Sequence, residues 1–268
     1  MSVNLCWNVT DRCNENCKFC YRFISYKENS FEDNLRILQY FKDIKAEKIT
    51  WTGGEALLYP HVIDLIKMAK EAGMKNNLIS NGRAITPELL LELQPYLDTL
   101  TLSIDSATDS IHNEMGRGIG HGEHVLKILD YIKENNIDIE VKINTILTTK
   151  NTSGFLDLVK VLSKYKLKRW KIFKFNPLRG VAYEHCDEFD ISEKDFDTIV
   201  SKAQEYQDIL KCPITMCKNQ DFENYLLIDP IGNFLITKDN KDIHLGNLDT
   251  IDKEKVEKFL KNKEEVIF

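Results

Sequence analysis

The stretch "IDIEVKIN", residues 137–144, alternates apolar residues with charged or polar ones over eight positions. Side chains on a β-strand point alternately to opposite faces, so this segment is predicted to be a strand with one apolar and one polar face. The stretches "LTLSID" (100–105) and "LCWNVT" (5–10) alternate in the same way. At least three strands of this chain therefore present polar side chains on one face.

Short apolar strands alternate with amphipathic helices along most of the chain. We predict strands at 4–9, 48–52, 76–80, 99–104, 138–146 and 168–175, and helices at 32–45, 60–72, 86–94, 122–135, 152–163 and 192–209. Six β-then-α units with short connections predict an α/β fold with a parallel sheet. A sheet covered by helices on both faces would bury the polar side chains at a cost of a few kcal/mol each. An incomplete barrel with a wet, ligand-lined interior avoids that cost, so we predict a partial barrel with its active site inside.

Length and composition limit the function classes. The 268 residues, without a Pro/Gly/Ser-rich linker, predict a single domain over 1–268, with a core at about 1–210 and a short C-terminal extension at about 211–268. A net charge of −6 does not favour binding to nucleic acid or to an anionic membrane. No apolar run approaches the roughly 20 residues of a membrane-spanning helix. We therefore expect a cytoplasmic protein with no nucleic-acid or membrane partner.

Three cysteines stand close together in "DRCNENCKFCYRF", residues 11–23. Cys13, Cys17 and Cys20 follow the first predicted strand, at the strand end where α/β barrels place their active sites. Cytoplasmic thiols stay reduced and are more often ligands or catalytic groups than disulfides. A structural zinc site needs four protein ligands and a dithiol redox site needs two. Three thiolates instead suit a [4Fe–4S] cluster that keeps one iron open.

The motif Cys-x3-Cys-x2-Cys, with Phe19 directly before its last cysteine, resembles the signature of the radical S-adenosylmethionine (SAM) enzymes, whose fold is a partial (β/α)6 barrel. The turn Gly53-Gly54-Glu55 resembles the glycine-rich turn that contacts the methionyl amino group in that family. Glycine suits a backbone that must approach a ligand closely. The resemblance implies a [4Fe–4S] cluster and SAM as cofactors. It also implies one-electron cleavage of SAM to methionine and a 5′-deoxyadenosyl radical, which takes a hydrogen atom from the substrate.

Further SAM contacts are predicted by position on the same rim of the barrel. The strand ends "ISNG" (79–82) and "LSIDS" (102–106) present Ser80, Asn81, Ser103 and Asp105. Arg117, in the glycine-rich stretch 115–124, is predicted to pair bidentately with the SAM carboxylate. The alternative interpretation of that stretch is a flexible loop.

A more specific resemblance covers most of the chain. The segments "IDSATDSIHNEMGRGIG", "VKINTILTTKN", "LKRWKIFKF", "NYLLIDPIGNFL" and "HLGN" follow one another as comparable segments do in the viperin-like nucleotide dehydratases. This resemblance implies a lyase of antiviral defence that converts a nucleoside triphosphate such as CTP to its 3′-deoxy-3′,4′-didehydro form. After Cys20 the chain reads "YRFISYKENS" and departs from the family pattern. There, either Arg22 and Lys27 substitute for family residues or the substrate differs.

A triphosphate requires several cations on one wall of its site. We predict that Lys142 and Asn144 on the fifth strand, with Arg169 and Lys171 on the sixth, bind the substrate. Arg169 and Lys171 belong to a run of six positive charges between Lys164 and Lys174, of which Lys164, Lys166 and Lys168 are predicted to point outside. By the resemblance, Tyr225 relays a hydrogen atom to the sugar radical. Tyr225 and Lys142 are the predicted catalytic residues.

Two other functions stay open. The first is a radical SAM enzyme that modifies a peptide or another small metabolite, in which Cys186, Cys212 and Cys217 would bind an auxiliary cluster despite their poor spacing. The second is an iron–sulfur sensor or binding protein, which would leave Gly53-Gly54-Glu55 and Arg117 without a purpose. Cys6 is predicted to be a small packed residue. An enzyme of this class also requires a reductant such as flavodoxin or ferredoxin.

Overall fold

The structure of the chain, a computed structural model, describes residues 4–261. The predicted single domain over 1–268 thus includes residues 1–3 and 262–268, which lie outside the described residues. All six predicted strands are present: β1 (Asn4–Asn8), β2 (Lys48–Thr52), β3 (Lys75–Ser80), β4 (Thr99–Ser103), β5 (Glu140–Leu147) and β6 (Arg169–Lys174). They lie side by side in chain order, each parallel to the next. The predicted α/β fold with a parallel sheet is confirmed.

Helices follow the strands as the β-then-α pattern predicts. They are α1 (Phe31–Asp43), α2 (Val62–Glu71), α3 (Pro87–Leu93), α4 (Asp109–Glu114), α5 (His121–Glu134), α6 (Asp157–Leu162), α7 (Val181–Glu184), α8 (Cys186–Phe189), α9 (Glu193–Gln204), α10 (Gln207–Leu210) and α11 (Lys253–Lys261). Local caps set several starts: the hydroxyl of Ser30 accepts from the backbone N–H of Asp33, and that of Ser192 accepts from Asp195. Within residues 4–261, no helix combines the length and the apolarity needed to cross a bilayer.

The prediction of one helix over 192–209 is wrong, because α9 ends at Gln204 and α10 begins at Gln207. The break allows two glutamine side chains to bind one backbone position: Gln204 donates to the carbonyl of Ile214 and Gln207 accepts from its N–H. The helix predicted over 152–163 begins only at Asp157.

The C-terminal part contains four strands that the sequence analysis did not predict: β7 (Ile214–Cys217), β8 (Tyr225–Ile228), β9 (Phe234–Lys238) and β10 (Lys241–Gly246). All ten strands form one sheet in the order β10-β9-β8-β1-β2-β3-β4-β5-β6-β7. Strand β8 is parallel to β1, whereas β9 is antiparallel to both β8 and β10. The C-terminal segment therefore extends the same sheet on both sides of the six-stranded core.

The two faces of the sheet differ as the alternation predicted. Outward-facing apolar side chains pack into the main core, where the rings of Trp7 and Trp51 stack with their centroids 5.3 Å apart. Inward-facing residues line a single cavity; they include Cys6, Asn8, Lys48, Thr50, Thr52, Asn77, Thr101, Ser103, Lys142, Asn144, Arg169 and Lys171. The polar face of the barrel is therefore the wall of the candidate site.

Candidate active site

The three predicted cluster ligands lie in the loop between β1 and α1 and line one end of a cavity of about 280 Å³. Cys13, Cys17 and Cys20 are free thiols; Cys17 is buried and the other two are half-buried. Burial raises the pKa of Cys17 to about 12, although the nearby charge of Arg117 opposes that rise. Coordination to iron deprotonates a thiol outright.

The donor set fits a cluster better than a single ion. Within residues 4–261, no three His, Cys, Asp or Glu side chains converge on a position for one metal ion. A [4Fe–4S] cluster instead binds each cysteine through a different iron, so its ligands stand apart around it. The side-chain amide of Asn81 also lies 3.7 Å from the sulfur of Cys13, a hydrogen bond of the kind that tunes cluster potentials. Cys13, Cys17 and Cys20 would hold the cluster.

The turn Gly53-Gly54-Glu55 packs directly on the cysteine loop. The N–H of Gly54 donates to the carbonyl of Thr10 at 2.8 Å, and that of Glu55 donates to Arg12 at 2.8 Å. A Cβ atom on Gly54 would lie 2.3 Å from the carbonyl oxygen of Arg12, and one on Gly53 would lie 2.4 Å from that of Thr10. The space that glycine leaves here is filled by the backbone of the cysteine loop, whereas the sequence analysis reserved it for a ligand.

Glu55 joins that turn to the end of β3. Its buried carboxylate accepts hydrogen bonds from the Ser80 hydroxyl at 3.0 Å and from the Asn81 N–H at 2.8 Å. Burial raises the pKa of Glu55, and these hydrogen bonds oppose the rise. Glu55 and Ser80 are thus already hydrogen-bonded to each other, and they position the rim on which SAM is predicted to bind.

Arg117 has a protein partner that the sequence did not reveal. Its Nε donates to Asp105 at 2.6 Å, and its guanidinium lies 5.3 Å from the ring centroid of Phe19. The other oxygen of Asp105 accepts from the N–H of Ile146 at 2.8 Å. Burial disfavours the charge of Arg117, but the nearby Asp105, Cys17 and Glu15 together outweigh burial and raise the pKa of Arg117. Asp105 therefore positions Arg117, and both line the cavity with Ser103.

The loop that carries Arg117 packs directly against the cysteine loop, which the flexible-loop interpretation does not predict. The N–H of Lys18 donates to the carbonyl of Met115 at 3.0 Å. Gly116 has φ +86°, and a Cβ atom there would lie 2.4 Å from the carbonyl oxygen of Asn16.

Glu15 is a residue that the sequence analysis missed, inside the cysteine motif itself. Its buried carboxylate accepts from Arg83 Nε at 2.7 Å and from the N–H of Gly118, and it lies 3.4 Å from His121 Nδ1. Burial opposes ionisation, but the interactions with His121, Arg83 and Gly118 outweigh it and lower the pKa of Glu15 to about 2. Glu15 therefore anchors the cysteine loop to two neighbouring segments, a role without a local sequence signal.

The predicted substrate cations come together on the cavity wall. Lys142 pairs in register with Arg169, and Asn144 pairs with Lys171. A fourth cation, Lys48, lines the same wall; the polar alternation of "KITWT" (48–52) could have revealed it. Across the part of the chain that the structure describes, none of these four cations forms an ion pair with a carboxylate. Lys164, Lys166 and Lys168 are exposed, as predicted.

Tyr225 reaches the same wall from β8. Its hydroxyl oxygen accepts a hydrogen bond from Lys171 Nζ at 2.9 Å. Burial raises the pKa of Tyr225, so the phenol stays protonated at physiological pH. The structure thus brings the two predicted catalytic residues, Tyr225 and Lys142, into one cavity.

The segment that follows Cys20 forms part of the cavity wall. Tyr21, Arg22 and Phe23 line the cavity, whereas Lys27 is exposed and does not line it. Cys6 is buried, as predicted for a small packed residue, and it also faces the cavity beside Thr50.

The three C-terminal cysteines do not gather into one site. Cys212 packs in the main core, Cys217 packs with Phe173 and Phe222, and Cys186 packs beside Phe189. Their separation gives no support to an auxiliary cluster.

A sequence model of the radical SAM superfamily matches residues 7–162, more than half of the chain. The chain belongs to the radical SAM superfamily, and it is an enzyme of that class; membership implies a [4Fe–4S] cluster and SAM. It is 32% identical over 245 residues to an S-adenosylmethionine-dependent nucleotide dehydratase of Flammeovirga pacifica, an alignment that covers 87% of this chain and 81% of the relative. The nucleotide dehydratase of Danio rerio is 24% identical over 257 residues, covering 90% of this chain and 68% of the relative.

Solved structures show the same fold. The structure of anSMEcpe with bound SAM aligns with a TM-score of 0.73 at 16% identity, covering 97% of this chain and 81% of that chain. The predicted partial barrel of the radical SAM type is confirmed.

Proposed function

We propose that the enzyme dehydrates a nucleoside triphosphate, such as CTP, to its 3′-deoxy-3′,4′-didehydro form. The observation that carries this proposal is the cavity wall with four cations that lack carboxylate partners among residues 4–261, in the cavity that the cluster cysteines also line. Homology to SAM-dependent nucleotide dehydratases supports the same substrate class.

The four cations match the charge of a triphosphate. Arg169 can bind phosphate oxygens bidentately, while Lys48, Lys142 and Lys171 act as compact charges with rotatable donors. In a chain of net charge −6, such a local excess of positive charge focuses an anionic ligand into the barrel. An uncharged or cationic substrate would leave these groups uncompensated.

When bound, the cluster and SAM supply a 5′-deoxyadenosyl radical that abstracts a hydrogen atom from the substrate. A double bond between C3′ and C4′ requires loss of the 4′ hydrogen atom and of the 3′ hydroxyl group. The hydroxyl leaves as water only if one electron and one proton are also delivered. The phenolic O–H of Tyr225 supplies both, and Lys171 holds its oxygen in place at 2.9 Å. A reductant such as flavodoxin or ferredoxin then restores the phenol.

The test is a nucleotide screen. The protein is reconstituted anaerobically with iron and sulfide, supplied with dithionite and SAM, and offered CTP, UTP, ATP and GTP with the matching di- and monophosphates. We expect one triphosphate to stimulate 5′-deoxyadenosine release most and to give a product lighter by one water molecule. No stimulation by any nucleotide would overturn the proposal in favour of a peptide or another metabolite. No 5′-deoxyadenosine with any substrate would favour the sensor alternative.

Proton uptake on CTP binding provides a second prediction. Burial, together with the charges of Lys48 and Arg169, lowers the pKa of Lys142 to about 8. Bound phosphate favours the charged amine, so affinity should be highest below pH 8 and fall above it, by at most about tenfold per pH unit. Calorimetry at pH 7 and pH 9, in buffers of different ionisation enthalpy, measures the uptake. Lys142→Arg stays charged throughout and should bind without this pH dependence. Equal proton uptake at both pH values in the wild type would contradict the prediction.

A further inference from the structure

We propose that the ring of Phe23 is the surface on which the nucleobase of the substrate stacks, and that Arg179 and Asp242 are positioning residues that hold this ring. The inference rests on the proposed function and adds to it the subsite for the base.

Phe23 differs from the other aromatic side chains that line the cavity. Four of those rings pack on one another: Phe222 lies 5.4 Å from Tyr21, 6.2 Å from Phe173 and 6.3 Å from Tyr225, measured between ring centroids. The fifth, Phe19, packs on Phe189 with a centroid distance of 6.3 Å. Within residues 4–261, Phe23 has no aromatic neighbour of this kind. The guanidinium of Arg179 lies 4.3 Å from the centroid of the Phe23 ring. Phe23 is half-buried and lines the cavity, so its remaining surface is available to a ligand.

Arg179 also lines the cavity, but its guanidinium nitrogens are already hydrogen-bonded to protein groups. Its Nε and Nη2 each donate to the carboxylate of Asp242 at 2.7 Å, a bidentate ion pair. Its Nη1 donates to the carbonyl of Tyr21 at 3.1 Å. Asp242 also accepts from the hydroxyl of Thr237 at 3.1 Å. These contacts connect the cysteine loop, the segment after β6, and strands β9 and β10 through Arg179, whose guanidinium lies over the Phe23 ring.

This arrangement suits a flat ring because each nucleobase has a π-face, and stacking on an aromatic side chain is favourable for any base. The phosphates of a nucleotide would occupy the wall of Lys48, Lys142, Arg169 and Lys171, and the sugar must reach Tyr225. The base is then left for an uncharged surface.

The experiment compares two ligands on the reconstituted holoenzyme without reductant: CTP and ribose 5-triphosphate, which lacks the base. In Phe23→Leu we expect the dissociation constant for CTP to rise about 5- to 100-fold and that for ribose 5-triphosphate to change by less than about twofold. Phe23→Tyr should restore CTP binding. The matched control is Tyr26→Leu, because Tyr26 is 89% exposed in the same loop and does not line the cavity; it should leave both constants unchanged.

Arg179→Met removes the guanidinium that lies over the Phe23 ring and adds no charge. We expect it to weaken CTP binding and not ribose 5-triphosphate binding. The ratio of the two dissociation constants should therefore change, whereas a general loss of structure would weaken both ligands and leave the ratio unchanged. If Phe23→Leu fails to fold, Arg179→Met carries the same comparison. Equal weakening of both ligands, or of neither, would overturn the base subsite while the proposed function stands. If the wild type binds neither ligand and turns over no nucleotide, the proposed function fails and this inference fails with it.

Discussion

Cys17→Ala should abolish cluster binding and reduce 5′-deoxyadenosine formation to background. Cys17 is the most buried of the three ligands, at 8% exposed, and it packs with Phe19 and Met115 beside the cavity. Only Cys13 and Cys20 remain as ligands: Cys212 and Cys217 pack in other parts of the described chain, and Cys186, which packs in the same hydrophobic group as Cys17, is tested by the control below. Visible absorbance and the iron content of the anaerobically reconstituted variant measure the loss.

The control for this prediction is Cys186→Ala, which removes a half-buried thiol on α8 and should retain the cluster. Circular dichroism of both variants checks that the barrel has formed. Wild-type absorbance and iron content in Cys17→Ala would refute the assignment of the ligand.

Tyr225→Phe should separate SAM cleavage from product formation. The variant keeps the aromatic ring and the four cations, so we expect CTP still to bind and to stimulate 5′-deoxyadenosine release. It lacks the O–H that delivers the proton and the electron, so formation of the dehydrated nucleotide should fall about 100-fold or more, in the range of a lost catalytic proton donor. The ratio of dehydrated nucleotide to 5′-deoxyadenosine, measured by mass spectrometry, gives the result.

The matched control is Tyr40→Phe, because the Tyr40 hydroxyl is buried in the main core without a hydrogen-bond partner in the described part of the chain. It should leave the ratio unchanged. A wild-type ratio in Tyr225→Phe would show that another group supplies the hydrogen atom.

Lys171→Met should lower both the ratio of dehydrated nucleotide to 5′-deoxyadenosine and the affinity for CTP, since Lys171 contacts Tyr225 and is one of the four cations on the cavity wall.

Local sequence patterns were sufficient to predict the six parallel strands β1 to β6. The alternation in 137–144 predicted both the strand and its polar inner face, because period 2 is a local property of an extended chain. The same reasoning placed Lys142, Asn144, Arg169 and Lys171 together, since neighbouring parallel strands keep their inward faces aligned. Strands β8, β9 and β10 were missed because they depart from the β-then-α repeat: they follow one another without an intervening α-helix, and β9 is antiparallel to both neighbours.

By itself, the sequence determined the chemistry at the cysteine loop, because the spacing of Cys13, Cys17 and Cys20 and the resemblance that it carries are contained in a few consecutive residues. Only the tertiary structure decided which distant residues complete the site. Glu15 meets Arg83 across 68 residues of chain, and Lys171 meets Tyr225 across 54. Such contacts depend on strand order and on the return of the C-terminal segment to β1, and neither is encoded in any local period of the sequence.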